Sequence, residues 1–211
     1  MSDTFKIENV EYFSQLNNKY DPTISCFPTS LAMCMNYCLQ SIGKTKTDVG
    51  CSENMQLEDY INYMLDDNQT TQWMKDNTSR IGSWIWNYKR RMLYDVEAYL
   101  FNRLMLPFGF KATFVSTKTY DEVCDRLEET KLPFIIGGNF SEISSVKGHM
   151  NCLIGFNRTG LQEVIVHDPF GNALDSFKPG KYPTFGNCVY PIKFFIKDKQ
   201  LHLYVLEIER V

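Results

Sequence analysis

The sequence predicts a single-domain α+β protein, helix-rich in its first half and carrying an antiparallel sheet in its second. Two changes of pattern and one absence support this. Apolar residues recur at helical spacing from Leu31 to Ile42, and the segment 44–110 stays helical in composition. From Phe134 onward the pattern becomes short β-branched or aromatic runs separated by Gly, Asn, Asp and Pro. A regular strand–helix–strand alternation is missing, which argues against a doubly wound parallel sheet. The chain has 211 residues, 44% of them hydrophobic, enough for one substantial core without disulfides or metals. It contains no internal repeat or linker, so residues 1–211 are read as one domain.

Taken in order, residues 5 to 13 alternate loosely through Phe5, Ile7, Val10 and Tyr12 and read as a short strand leading to Gln15. A polar loop spans 17–25. From Pro28 the apolar positions Leu31, Met35, Cys38 and Ile42 line one face of a helix that Gly43 ends. Proline suits a first helical turn, where its missing N–H costs nothing. Cys26 therefore stands at the mouth of this helix.

The block from about Lys44 to Phe110 reads as a helical insertion. It holds an amphipathic stretch at 56–65 and a longer one from Trp84 to Leu106, closed by Pro107 and Gly109. Its many Tyr, Trp and Phe residues read as core packing. A strand follows at Phe110–Val115, then a helix at Asp121–Glu129 with an acidic first turn. The remaining strands are expected at 134–138, 149–156, 164–168, 191–197 and 203–208.

Composition excludes several classes of function. A net charge of −3, with no basic block beyond Lys89-Arg90-Arg91, lacks the electrostatic footprint of a nucleic-acid binder. The seven cysteines are unevenly spaced with no CxxC pair, so most are expected to be reduced thiols. With no HExxH or EF-hand loop, no metal or cofactor is expected. The first residues lack the basic and apolar regions of a secretory signal, and no apolar run approaches the ~20 residues of a membrane span. A soluble protein made in the cytoplasm is expected, acting there or at a cell wall after release.

Four residues carry candidate chemistry. The first turn of a helix presents free N–H groups and the positive end of the macrodipole, which favour a thiolate, so Cys26 is placed where a nucleophile needs to be. His149 opens an apolar run after Gly148, with Asn151 and Leu153 on its face of the expected strand. Asp168 ends the next strand on the face of Val164 and Val166, where a carboxylate could orient a histidine ring. Gln15 has the polarity of an oxyanion donor. His167 competes with His149 as base but projects opposite to Asp168, and His202 falls in a charged turn. Each residue alone has an ordinary reading: a buried thiol, a loop histidine, a turn-forming Asp before Pro. Their order along the chain is what points to a cysteine hydrolase.

The segments Gln15-Leu-Asn-Asn18, Ser25-Cys-Phe-Pro-Thr-Ser-Leu-Ala-Met33, Gly148-His-Met-Asn-Cys-Leu-Ile-Gly-Phe156 and Val164-Ile-Val-His-Asp-Pro-Phe-Gly171 resemble the motifs of C39-like peptidases, members of the papain-like superfamily. The chain is most similar to their stand-alone bacterial and phage forms. The resemblance implies a papain-like fold, with the cysteine on a central helix packed against an antiparallel sheet. It also implies that Cys26 is nucleophile, His149 general base and acid, Asp168 orienting residue and Gln15 oxyanion donor. The block 44–110 is longer and more aromatic than that family core requires. No transporter portion accompanies the domain, which argues against a leader-peptide-removing role.

The resulting expectation is a thiol hydrolase of peptide or amide bonds, with peptidoglycan cross-bridges, cut by a phage or bacterial lysin, as one substrate class. An intracellular protein-processing protease, an acyl transferase, and a papain-like binding module or inhibitor of a host protein are the alternatives.

Overall fold

The structure, a computed structural model, describes residues 2–77, 94–144, 146, 148–175, 186–196 and 203–211. Among them are five α-helices: α1 (Cys26–Gln40), α2 (Leu57–Leu65), α3 (Asn68–Asp76), α4 (Tyr94–Met105) and α5 (Tyr120–Thr130). Seven strands join them: β1 (Thr4–Lys6), β2 (Phe110–Val115), β3 (Phe134–Gly138), β4 (His149–Asn157), β5 (Glu163–His167), β6 (Cys188–Pro191) and β7 (Val205–Arg210). They form one sheet in the order β2-β7-β3-β4-β5-β6, every pairing antiparallel. β1 pairs with residues 155–157 of β4, beyond the part of that strand, 149–153, that β3 occupies.

Helix α1 is central because it is covered on several sides. Every residue from Cys26 to Met35 is buried, and so are Cys38 and Leu39. The Ser30 hydroxyl donates to the Met150 carbonyl, and Cys34 Sγ lies 3.7 Å from Cys152 Sγ, so the helix seats on the Met150 and Cys152 side of β4. α2 and α4 pack on it from other directions. Burial of this extent stabilises by ~1.5–3 kcal/mol per large apolar side chain. The opposite side of the sheet is covered by a cluster in which Phe140 meets Tyr190, Phe194 and Phe195 within 5.3–5.7 Å.

The strands at 110–115 and 134–138 match expectation to the residue. Helix α5 matches within one residue at each end, its start set by a capping box between Thr119 and Glu122. Elsewhere the structure departs from the sequence reading. The expected strand at 5–13 is only Thr4–Lys6, because Asn9 at φ 62° takes the chain out of the extended region. The expected strand at 191–197 ends at Pro191, and Ile192–Phe194 coil into a 3-10 turn that turns Phe194 and Phe195 onto Phe140. Helix α1 is buried nearly all round, not along one stripe, and its expected face residue Ile42 lies beyond it and is exposed. The register of β4 shifts between Leu153 and Gly155, so Gly155 leaves the face that His149, Asn151 and Leu153 share. The sheet also recruits β1 and β2 from the helix-rich half. Of the amphipathic stretch 84–106, residues 84–93 lie outside the described residues, as does His202; the rest is α4.

Candidate active site

Cys26 is the first residue of α1 and is 6% exposed. The preceding Ser25 makes no side-chain cap, and its hydroxyl turns back to the carbonyls of Tyr20 and Asp21 at 2.8 and 2.7 Å. That choice of partners ties down the entering loop and keeps the Ser25 side chain off the amides of the first helical turn, which would receive an anion.

His149 is the first residue of β4, buried, with its ring between the edges of Phe140 and Phe170. Nε2 donates to Asp168 Oδ1 at 2.6 Å, and the Cys26 sulfur is the second group that acts on the ring. Burial works to lower the imidazole pKa, but the Asp168 carboxylate and then the Cys26 sulfur outweigh it and push it up to about 10. The ring is therefore an imidazolium near neutrality.

Asp168 follows β5 directly and is fully buried. Besides the histidine, Oδ1 receives the Phe170 amide at 2.9 Å, and Oδ2 receives the Tyr190 hydroxyl at 2.7 Å. The same hydroxyl accepts the Ala173 amide at 2.8 Å. Burial, and then the Asp168 charge, push the Tyr190 phenol far up, so it stays a donor. Tyr190 was not singled out by the sequence reading. It sits in the run Cys188-Val-Tyr-Pro191 with no motif of its own, and only the pairing of Tyr190 with Val164 sets it beside Asp168.

Gln15 lies in a 3-10 turn, 1% exposed. Its amide N–H donates to the Pro169 carbonyl at 2.9 Å, so its backbone is bound to the residue after Asp168. Its side-chain Nε2 donates to the Pro22 carbonyl at 2.6 Å, in the loop that leads to Cys26, while Oε1 is buried without a partner. Cys26, His149 and Asp168 are thus brought together, and Gln15 is tied to the loops carrying two of them.

His167 has both ring nitrogens engaged elsewhere. Nε2 donates to the Val10 carbonyl at 2.8 Å and Nδ1 accepts the Asn187 amide at 3.1 Å, with burial holding the ring neutral. The other cysteines, Cys34, Cys38, Cys51, Cys124, Cys152 and Cys188, are buried free thiols. A groove of about 550 Å³ lined in part by Glu11, Asn36, Gln40 and Glu58 runs along α1 away from its N-terminus. Among the described residues no group of three or more His, Cys, Asp or Glu could hold a metal, and no helix is long and apolar enough to cross a membrane.

An α+β fold with a cysteine at a helix start, a histidine opening a strand and an aspartate bonded to its ring has the groups of a cysteine-peptidase site. Residues 7–187 match the Peptidase_C39 like family, and the chain belongs to that family. Among solved structures, one from Bacillus anthracis that bears the name of a C39-like peptidase superposes with a TM-score of 0.53 at 14% identity, covering 100% of both chains. At that identity the likeness is one of fold. No curated protein sequence matches the chain.

Proposed function

We propose that the protein is a papain-like cysteine peptidase. The observation that supports this reading best is the buried His149 ring, bonded to Asp168 through Nε2 at 2.6 Å, with the Cys26 sulfur also raising its pKa. In this reading the Cys26 proton already resides on His149, and the sulfur attacks the scissile carbonyl carbon as the thiolate. The carbonyl electrons move to oxygen, which the Cys26 N–H and the Gln15 side-chain amide stabilise. His149 then protonates the leaving amine, and the acyl group stays on sulfur. Water attacks next, losing a proton to His149, and the C–S bond breaks to release the acid and restore the thiolate beside the imidazolium. Asp168 keeps the imidazole in the required tautomer and orientation.

Peptide bonds are the substrate class that family membership implies. Peptidoglycan cross-bridges are the finer proposal, carried by the resemblance to stand-alone bacterial and phage forms. The test is to map iodoacetamide modification at mildly acidic pH in the wild type and in Cys26→Ala and His149→Ala, alongside incubation with purified peptidoglycan and mass analysis of released amines. Rapid labelling confined to Cys26 and lost in His149→Ala is expected. A Cys26 that labels no faster than the other six cysteines would sink the peptidase reading.

A further inference from the structure

Outside the candidate active site, the groove of about 550 Å³ along α1 has a lining that the hydrolytic scheme leaves unused. Its volume lies in the range of small-ligand sites. One end is formed by Ser14 and Asn17, at the two ends of the turn that carries Gln15. Farther along, Asn36 and Gln40 of α1 stand about 15 and 21 Å from Cys26 at ~1.5 Å of helix rise per residue. The mouth is open to solvent, since Glu11, Asn17, Gln40, Lys44 and Thr45 of the lining are exposed. Glu58, in the first turn of α2, lines the same groove while only 4% exposed.

The charges of this lining are unevenly paired. Among the described residues no other residue bonds to either carboxyl oxygen of Glu58, and the one donor acting on them is its own amide. Those oxygens are not sealed off, in contrast to the fully enclosed carboxyl of Glu97. Glu11 is engaged on one oxygen: Oε2 accepts Asn36 Nδ2 at 2.9 Å and Gln40 Nε2 at 3.5 Å, which leaves Oε1 to the groove. The two lysines of the lining have other partners. Lys44 Nζ pairs with Asp48 at 3.1 Å, and Lys46 Nζ donates to the Met55 and Glu53 carbonyls at 2.6 and 3.0 Å. Burial raises the Glu58 pKa to about 6, with the Asp59 and Glu11 charges adding to it and its own amide and Lys46 opposing, so the group is still a carboxylate near neutrality. A buried carboxylate facing open space without an ion-pair partner is costly unless a ligand brings a cation. The carboxamides of Asn17 and Gln56 add a donor and an acceptor each, the pairing a peptide group requires. A neutral sugar could use those carboxamides but would leave the Glu58 charge unbalanced.

We propose that this groove is a second binding site, in which the Glu58 and Glu11 carboxylates receive a primary ammonium group carried by a peptide. Binding there goes beyond the peptidase reading and does not depend on it. Within that reading the groove is an exosite for a lysine-bearing segment roughly four to six residues from the scissile bond, the length of extended chain that spans about 15–21 Å.

The test uses the full chain and two short probes, acetyl-Gly-Lys-Gly-amide and the same peptide with its lysine Nε-acetylated. Affinities are read by calorimetry on Cys26→Ala, so that no probe is cleaved, and on the same chain with Glu58→Gln or Glu11→Gln. The lysine peptide is expected to bind about tenfold tighter than the acetylated one, and Glu58→Gln to abolish that preference, the effect of one charge pair lost from a partly desolvated site. Glu11→Gln, at an exposed position where folding is not at issue, should reduce the preference severalfold. Equal affinity for the two peptides, no binding, or a preference that survives both substitutions overturns the site. In the wild type the lysine peptide at saturation should leave iodoacetamide labelling of Cys26 unchanged; protection of Cys26 would put the peptide at the sulfur and overturn a separate site. Slow Cys26 labelling with the lysine preference intact sinks the peptidase reading and leaves the groove standing.

Discussion

Replacing Tyr190 by Phe removes one oxygen atom from the centre of the hydrogen-bond chain that holds Asp168. The hydroxyl donates to Asp168 Oδ2 at 2.7 Å and accepts the Ala173 amide at 2.8 Å, and the ring is fully buried. The substitution leaves the ring packing against Phe140 and Phe195 in place, so cavity formation adds little. What is lost is a hydrogen bond to a buried carboxylate, worth ~1.5–3 kcal/mol, together with pairing of a backbone N–H, whose orphaning costs ~1–3 kcal/mol. The losses share one atom and are not independent, so a destabilisation of about 3 kcal/mol is expected. In a chain of this size that lowers the midpoint of thermal unfolding by roughly 6–12 °C. Urea unfolding followed by circular dichroism measures it as a lower midpoint at unchanged slope. Asp168 keeps its bonds to His149 and to the Phe170 amide but is less constrained in rotation, so labelling of Cys26 slows in the same variant. A loss of under ~0.5 kcal/mol would refute the reasoning, because it would mean that water or relaxation replaces both bonds.

Two further outcomes follow from the same geometry. The His149 pKa rises from an unfolded value near 6.5 to about 10, so the stability this proton contributes is complete below about pH 6.5 and is lost as pH climbs through about 10. Urea midpoints of wild type and His149→Gln across that window should therefore converge with rising pH, from a gap of a few kcal/mol at the acid end; a gap that widens with pH contradicts the ion pair. Gly137→Ala places a Cβ 1.8 Å from the Tyr94 hydroxyl and 3.1 Å from its ring carbon, which forces the tyrosine aside at a cost of ~1–3 kcal/mol. Tyr94→Phe in the same chain should restore roughly half of that, and a double-mutant cycle with no coupling would show that the contact is not the source.

Much of the sheet was legible because its strands are bounded by residues with fixed conformational preferences. Pro133 precedes β3 and Asn157 ends β4, and the alternation of Val164, Val166 and Asp168 survives in the structure as one face. The readings that failed were those in which a distant contact overrides the local pattern. Ile7 and Val10 continue the alternation begun at Phe5, and the Ile7 amide still donates to the Ile154 carbonyl at 2.8 Å, yet the pairing goes no further because Asn9 at φ 62° turns the chain away. The face of α1 was read as a stripe because the spacing of Leu31, Met35 and Cys38 carries no information about α2 and α4 on its other sides. His149 and His167 lie at the start of one strand and the end of the next, and they have different partners: one bonds Asp168, the other Val10.

By itself the sequence determined the order of the candidate groups: Gln15, a thiol at a helix start, a histidine opening a strand and an aspartate closing the next. It could do so because capping, turn formation and side-chain alternation act over a few residues and leave a local trace. Tertiary structure alone decided what surrounds those groups. Tyr190 reaches Asp168 from the neighbouring strand β6, and helix α4 leaves Glu97 fully buried with neither carboxyl oxygen hydrogen-bonded. Neither has a neighbour in sequence that marks it. Burial and charge act through space: they hold an unremarked tyrosine as a donor to Asp168 and raise the carboxyl pKa of an unremarked glutamate well above its ordinary range.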